Sequence, residues 1–255
     1  MNYITDTWYL TGRHVRYHLR MPVHVGMSLI QPLIWLLLFT QVFRRLSDMP
    51  GFPTQSYLQF FAPGVVVMTV LFGSAWSGMG MLRDIDLGML TKMLVTPVTR
   101  LSIVASRMLA TTLTVIAQSL IILIIAYVMG VSFATGAPGL LLTILTVALL
   151  GLGFAGLSNA LALLYRKPEP LMATIGFLTL PLTFVSSAMM PASMLPGWMN
   201  TLRTFNPVDH AVQSVRTLAI IGYEWEVLVP SLAFLLSFAA IMTIVATIMF
   251  RTIEE

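Results

Sequence analysis

Between Met108 and Tyr165 the chain runs for 58 residues without one charged side chain. As a helix at about 1.5 Å per residue this run would reach about 87 Å, against a hydrocarbon core of about 30 Å. It must fold back, and the segment from Gly130 to Gly139, with Gly136-Ala137-Pro138-Gly139, supplies the break. Composition leads to the same solvent. The chain is 57% hydrophobic and 9% charged, where a soluble domain carries about 25% charged residues, so the bilayer must cover most of the apolar surface. There is no cysteine, which excludes disulfides and thiolate metal sites.

Six segments are long and apolar enough to cross: Val25 to Phe43, a stretch within Phe60 to Leu82, Met108 to Met129, Leu140 to Tyr165, Leu171 to Met190, and Val227 to Phe250. The expected fold is an all-α polytopic membrane protein forming a single transmembrane domain over residues 1–255. An even number of spans puts both termini on one side. Ten basic residues flank the spans there: Arg13, Arg16, Arg20, Arg83, Lys92, Arg100, Arg107, Arg166, Lys167 and Arg251; four lie opposite: Arg44, Arg45, Arg203 and Arg216. The positive-inside rule makes the first side the cytoplasm. With the basic residues beside spans, the net charge of +4 reads as topology and not as nucleic-acid binding. The first 24 residues are polar and basic and lack a small-residue cleavage pattern, so they are expected to stay as a cytoplasmic arm.

Three segments stand out. In the arm (1–24), Trp8, Gly12, Val15, Leu19 and Val23 recur at helical spacing, with Arg13, Arg16 and Arg20 expected on another face. An interfacial helix holding arginines toward anionic lipid fits this pattern, as does a plain positive-inside anchor. The second segment is a charged island, Arg83 to Arg100. Six of the chain's 24 charges lie between Arg83 and Arg107. Asp84 and Asp86 suit a helix N-terminus, Leu87, Leu90 and Leu94 (with Met93) form an apolar stripe, and Pro97 ends the helix at Thr96. Such a stripe calls for a partner groove or for the bilayer surface. The third segment, 190–219, holds Pro191, Pro196 and Trp198, then Asn206-Pro207 as N-cap and N1, with Asp209 in the first turn, Arg216 in the last, and Val208, Ala211, Val212, Val215 and Ala219 as an apolar stripe. Short helices dipping into the outer leaflet are expected there.

Polar residues at bilayer depth are few: Gln31, Gln41, Ser74, Ser77, Gln118, Ser119 and Asn159. Gln31, Gln118 and Asn159 are candidates for a pathway, although interhelical hydrogen bonding explains such residues equally. Two nucleotide-like patterns carry no weight. Gly151-Leu-Gly153-Phe-Ala-Gly156 lies inside a span without a strand–turn–helix context or an acidic ribose partner; close packing through small residues explains it. Gly73 to Gly78 has phosphate-loop spacing, but Met79 stands where lysine is required.

With these residues in view, the chain resembles the type-2 ATP-binding-cassette (ABC) transporter permeases, in the drug- and lipid-export subgroup similar to daunorubicin-resistance permeases. The sharpest likeness lies in Gly88-Met-Leu-Thr-Lys-Met-Leu-Val-Thr-Pro-Val-Thr-Arg100 with Arg107, and in Met190-Pro191, Leu195-Pro196-Gly197-Trp198, Asn206-Pro207 and Arg216. The resemblance implies that 83–100 is a coupling helix docking on a separate ABC ATPase subunit, through Asp84, Asp86, Leu87, Leu90, Thr91, Leu94, Pro97 and Arg100. It implies that the arm is a connecting helix and that 190–219 forms outer re-entrant helices closing the exit. It further implies two permease copies, homo- or heterodimeric, with two ATPase subunits. ATP and Mg would be bound by the partner and no cofactor by this chain. At Thr91 the family usually carries an acidic residue, so a charge contact to the ATPase is missing or moved to Asp84 or Asp86. The function expected is that of a permease subunit of an exporter in the cytoplasmic membrane, moving hydrophobic or amphiphilic cargo, and not an enzyme itself. The alternative is a stand-alone secondary transporter or channel.

Overall fold

In hydrocarbon the backbone must satisfy its own hydrogen bonds, which restricts an uncharged chain to helices or closed barrels. The computed structural model describes residues 3–20, 22–89, 93 and 98–251, and among them every regular element is helical. The helices are α1 (Tyr3–Leu19), α2 (Pro22–Val42), α3 (Tyr57–Ala75), α4 (Ser77–Asp86), α5 (Arg100–Val128), α6 (Gly136–Tyr165), α7 (Pro168–Phe184), α8 (Gly197–Arg203), α9 (Pro207–Arg216) and α10 (Trp225–Arg251). Single 3-10 turns occupy Arg44–Asp48 and Ala192–Met194, and a π turn, Thr217–Ile221, continues α9.

The uncharged run breaks where glycine permits it. α5 ends at Val128, Gly130 takes φ 101°, and the Val131 amide donates back to Ala126 at 3.0 Å, a glycine-terminated helix end. α6 then starts at Gly136. The next turn is two residues long: Arg166 lies at φ 51° and Pro168 opens α7. Pro at the first helical position needs no hydrogen bond there.

Among the described residues, four helices can cross a membrane by length and apolarity: Tyr57–Asp86 (α3 with α4), Leu101–Val128, Gly136–Tyr165 and Trp225–Phe250; the apolar stretch Gly26–Val42 is shorter. α7 has 17 residues and stops at Phe184, short of the Met190 expected from hydropathy. The reason is polar. The Ser186 hydroxyl donates to Thr183 O at 2.7 Å, and the Ser187 amide donates to Asp209 at 2.7 Å, pulling the chain out of the helix toward α9.

α3 is the centre of the molecule. From Phe60 to Leu71 it is buried throughout, packed among α2, α5, α6 and α9. Phe39, Phe61 and Tyr57 stack in sequence, with ring centroids 5.7 and 5.4 Å apart. α10 packs along α6. Gly153 meets the Phe238 ring, and a Cβ on Gly156 would stand 3.0 Å from Met108 Cε and from the Met242 backbone. The glycine pattern in α6 thus serves close helix approach.

Candidate functional site

At one end of the molecule α4 carries the start of the charged island. Arg83, Asp84 and Asp86 form the last turn of α4 and do not begin a new helix, which corrects the N-terminal placement expected for the two aspartates. Met79 to Leu82 keep the helix running, and Gly88, at φ 63°, stops it with its amide bonded to Ile85 O at 3.0 Å. A carboxylate is unfavourable against a helix C-terminus. Asp84 is compensated by an ion pair with Arg107 of α5, both side chains being mostly buried. This pair ties the end of α4 to α5. Leu87 is 62% exposed, whereas Met93 is buried, with its sulfur 3.9 Å from the Arg13 guanidinium of α1. Leu90, Thr91, Leu94 and Pro97 lie outside the described residues. Arg100 opens α5.

α1 packs on the first turns of α5. The Ser102 hydroxyl donates to Tyr3 O at 3.2 Å, and the Thr11 hydroxyl reaches Ser106 O at 3.4 Å. Asp6, Thr7 and Thr11 are buried against that surface, and Trp8 and Tyr9 are exposed. Small polar residues allow the close approach, so the apolar side of the arm is the one left outward. Trp8 and Gly12 share a groove with Arg13, Arg16 and Arg20. The arginines thus adjoin the Trp8 side of the arm along one groove.

At the opposite end the segment after α7 builds a hydrogen-bonded cap. Asn206 caps α9 by accepting from the Val208 amide at 3.0 Å, and its own amide donates to Leu182 O at 2.7 Å. Pro207 is the first helical residue. Pro191 and Pro196 sit just before the 3-10 turn and α8; Pro191 is buried, Pro196 exposed and Trp198 61% exposed. Asp209 is wholly buried and accepts from the Ser187 amide, from Arg203 at 2.9 Å and from Gln213. Arg216, in the last turn of α9, donates to Ser187 O at 2.8 Å and Ala188 O at 3.3 Å, and stands 3.8 Å over the Phe60 ring. Burial pulls its pKa down to about 9, while Asp209 and Tyr57 pull the other way, so it stays cationic at neutral pH. The Tyr57 hydroxyl donates to Met189 O at 3.0 Å. Asp209, Arg203, Ser187 and Tyr57 are thus parts of the cap that the sequence-derived site lacks. Asp209 had a first-turn signal; the others had none.

The three polar candidates at depth are not brought together by hydrogen bonds. Gln118 donates to the Ser28 hydroxyl at 2.7 Å, joining α5 to α2. Asn159 is fully buried and donates to Ala155 O at 2.7 Å and to Ser77 at 3.2 Å; its Oδ1 has no partner among the described residues. Gln31 is exposed on α2 beside Trp35 and Phe72. Asn159 belongs to a joint around Trp76, the single residue between α3 and α4. There the Ser158 hydroxyl donates to Ala75 O and accepts from the Gly78 amide at 2.9 Å, and Ser77 bonds Thr111 at 2.8 Å.

Residues 5–220 match the family described as ABC-2 type transporter. A protein of Cyanophora paradoxa named as transport permease ycf38 is 30% identical over 200 residues, covering 78% of this chain and 69% of that one. The daunorubicin resistance ABC transporter permease protein DrrB1 of Streptomyces coeruleorubidus is 27% identical over 198 residues, 77% of this chain and 69% of its own. A Mycobacterium tuberculosis protein named as doxorubicin resistance ABC transporter permease DrrC is 24% identical over 244 residues, 96% of this chain and 86% of its own.

Proposed function

The chain belongs to the ABC-2 type transporter family, and from that membership we propose that it is the membrane subunit of an ATP-driven exporter of hydrophobic or amphiphilic cargo, a drug or a lipid. ATP, with its Mg, binds to a separate ABC ATPase, two copies of which work with two permease chains. The permease performs no chemistry. It crosses the cytoplasmic membrane six times, through α2, α3 with α4, α5, α6, α7 and α10, with both termini in the cytoplasm. The names of the relatives, daunorubicin and doxorubicin resistance permeases, support a drug-like cargo.

The observation that carries the reading is the junction of α4, α5 and α1. The Asp84–Arg107 pair fastens α4 to α5, and the α1 arm touches Met93 beside them. An ATPase pressing on residues 83–100 would move the ends of two spans and the arm together. Asp84 is engaged within the permease, which leaves Asp86, with exposed Leu87, to meet the ATPase where Thr91 offers no charge. The Pro191–Arg216 cap would close the far end of the pathway. Gln118 and Asn159 hold spans together, and Gln31, like Gln41, is exposed on α2.

Leu90→Asp tests this role. The variant is expected to reach the membrane and keep its thermal stability, but to lose ATPase co-purification and drug-stimulated hydrolysis. Normal co-purification and normal transport would sink the coupling role of residues 83–100.

A further inference from the structure

The outward side of α1 carries a groove of about 440 Å³ lined by Trp8, Tyr9, Gly12, Arg13, Arg16 and Arg20, a volume within the range of small-ligand sites. Gly12 is its floor: a Cβ built there meets no atom within 4 Å. Arg13, Arg16 and Arg20 line one side; Arg13 also reaches the Met93 sulfur through one guanidinium nitrogen, and among the described residues no carboxylate pairs with any of the three. On the other side are Trp8 and Tyr9, 74% and 75% exposed, with Ile4 at 78% one turn earlier. Guanidinium forks match phosphate oxygens, and tryptophan and tyrosine settle at headgroup depth. The groove thus combines a phosphate-binding wall with an apolar wall, separated by a gap that only the absence of a side chain at Gly12 leaves open.

We propose that this groove holds the phosphodiester of one anionic phospholipid, with its phosphate among Arg13, Arg16 and Arg20 and its glycerol end over Gly12 against Trp8. The proposal rests on the interfacial placement of the arm. An acidic protein surface is the competing occupant. The exposed aromatic and aliphatic residues continuous with the groove favour a ligand whose charge adjoins an apolar part, which describes a lipid.

Gly12→Leu separates a built site from diffuse charge, because it fills the floor, has open space to occupy and leaves every arginine in place. The full-length permease, purified and delipidated, is titrated with phosphatidylglycerol against phosphatidylcholine, and retained lipids are counted by native mass spectrometry. The wild type is expected to keep one phosphatidylglycerol per chain in preference to phosphatidylcholine. Gly12→Leu and Arg16→Gln are each expected to weaken that retention about tenfold, or about 1.4 kcal/mol. Equal retention by the wild type and Gly12→Leu overturns the proposal, because the arginines then act only as a diffuse charge. Unchanged lipid retention with loss of ATPase co-purification in Gly12→Leu assigns the groove to a protein and overturns it too. A nitroxide at Ile4→Cys, in a chain without other cysteines, reports the arm's position independently. If it is accessible to oxygen but not to an aqueous nickel chelate while lipid retention is unaffected by Gly12→Leu, the arm lies at the interface and the groove alone is refuted. Access to the nickel chelate refutes both.

Discussion

Asp209 shows how much of a cap one side chain can organise. It is wholly buried and answers three donors from α8, α9 and the turn after α7, and its charge also offsets that of Arg216. Removing one member of a buried ion pair strands the other. Asp209→Asn keeps the shape and deletes the charge, so it is expected to destabilise the protein by roughly 3 kcal/mol, read as a lowered unfolding midpoint in detergent. Part of this cap is legible in the sequence. Asn206-Pro207 announces a helix start, and Asp209 and Arg216 suit its two ends. Their partners are not legible, because Arg216 finds its acceptors at Ser187, Ala188 and Phe60, the last 156 positions away. Helix signals act within a turn or two, whereas a buried cation takes whichever carbonyl groups the folded chain brings near.

The joint between α3 and α4 raises the same question for whole elements. Interrupting a helix inside hydrocarbon frees backbone groups that no water can meet. Here Ser158 of α6 supplies both a donor for Ala75 O and an acceptor for the Gly78 amide. Ser158→Ala removes both partners and is expected to cost about 1 to 2 kcal/mol, measured by denaturation in mixed micelles. Gly78→Ala should be no milder, because its Cβ would run into the Ser158 backbone. The break between α5 and α6 is legible because Gly130, Gly136, Pro138 and Gly139 mark it. The break at Trp76 is not, since Gly73 to Gly78 reads as small residues in an apolar run and the deciding group lies 80 residues downstream. The arm shows the opposite error. Its helix is legible, but which side faces inward is set by close packing of Thr7 and Thr11 on α5 and not by hydrophobicity.

Across the whole molecule, hydrogen bonds between elements form one cluster at each end. One holds the arm, the end of α4 and the start of α5. The other joins the turn after α5 to the cap: the Ala134 amide meets Ala219 O at 3.0 Å, and the Thr135 hydroxyl meets Leu218 O at 2.8 Å. If the first end is cytoplasmic, a membrane-impermeant thiol reagent will label Gln55→Cys in intact cells and Leu87→Cys only after the membrane is opened. Both positions are exposed and the chain offers no other thiol. Between these ends α3 is the most enclosed of the long apolar helices and α10 the least. This has a consequence for synthesis. α3 emerges early, yet α5, α6 and α9, which enclose it, follow it in the chain, α9 ending only at Arg216. Until then the side of α3 that α9 covers, with Phe60 beneath Arg216, has lipid tails or the insertion machinery for a neighbour. The order in which the helices are made is therefore not the order in which they find their final places: the centre is laid down early and finished near the end.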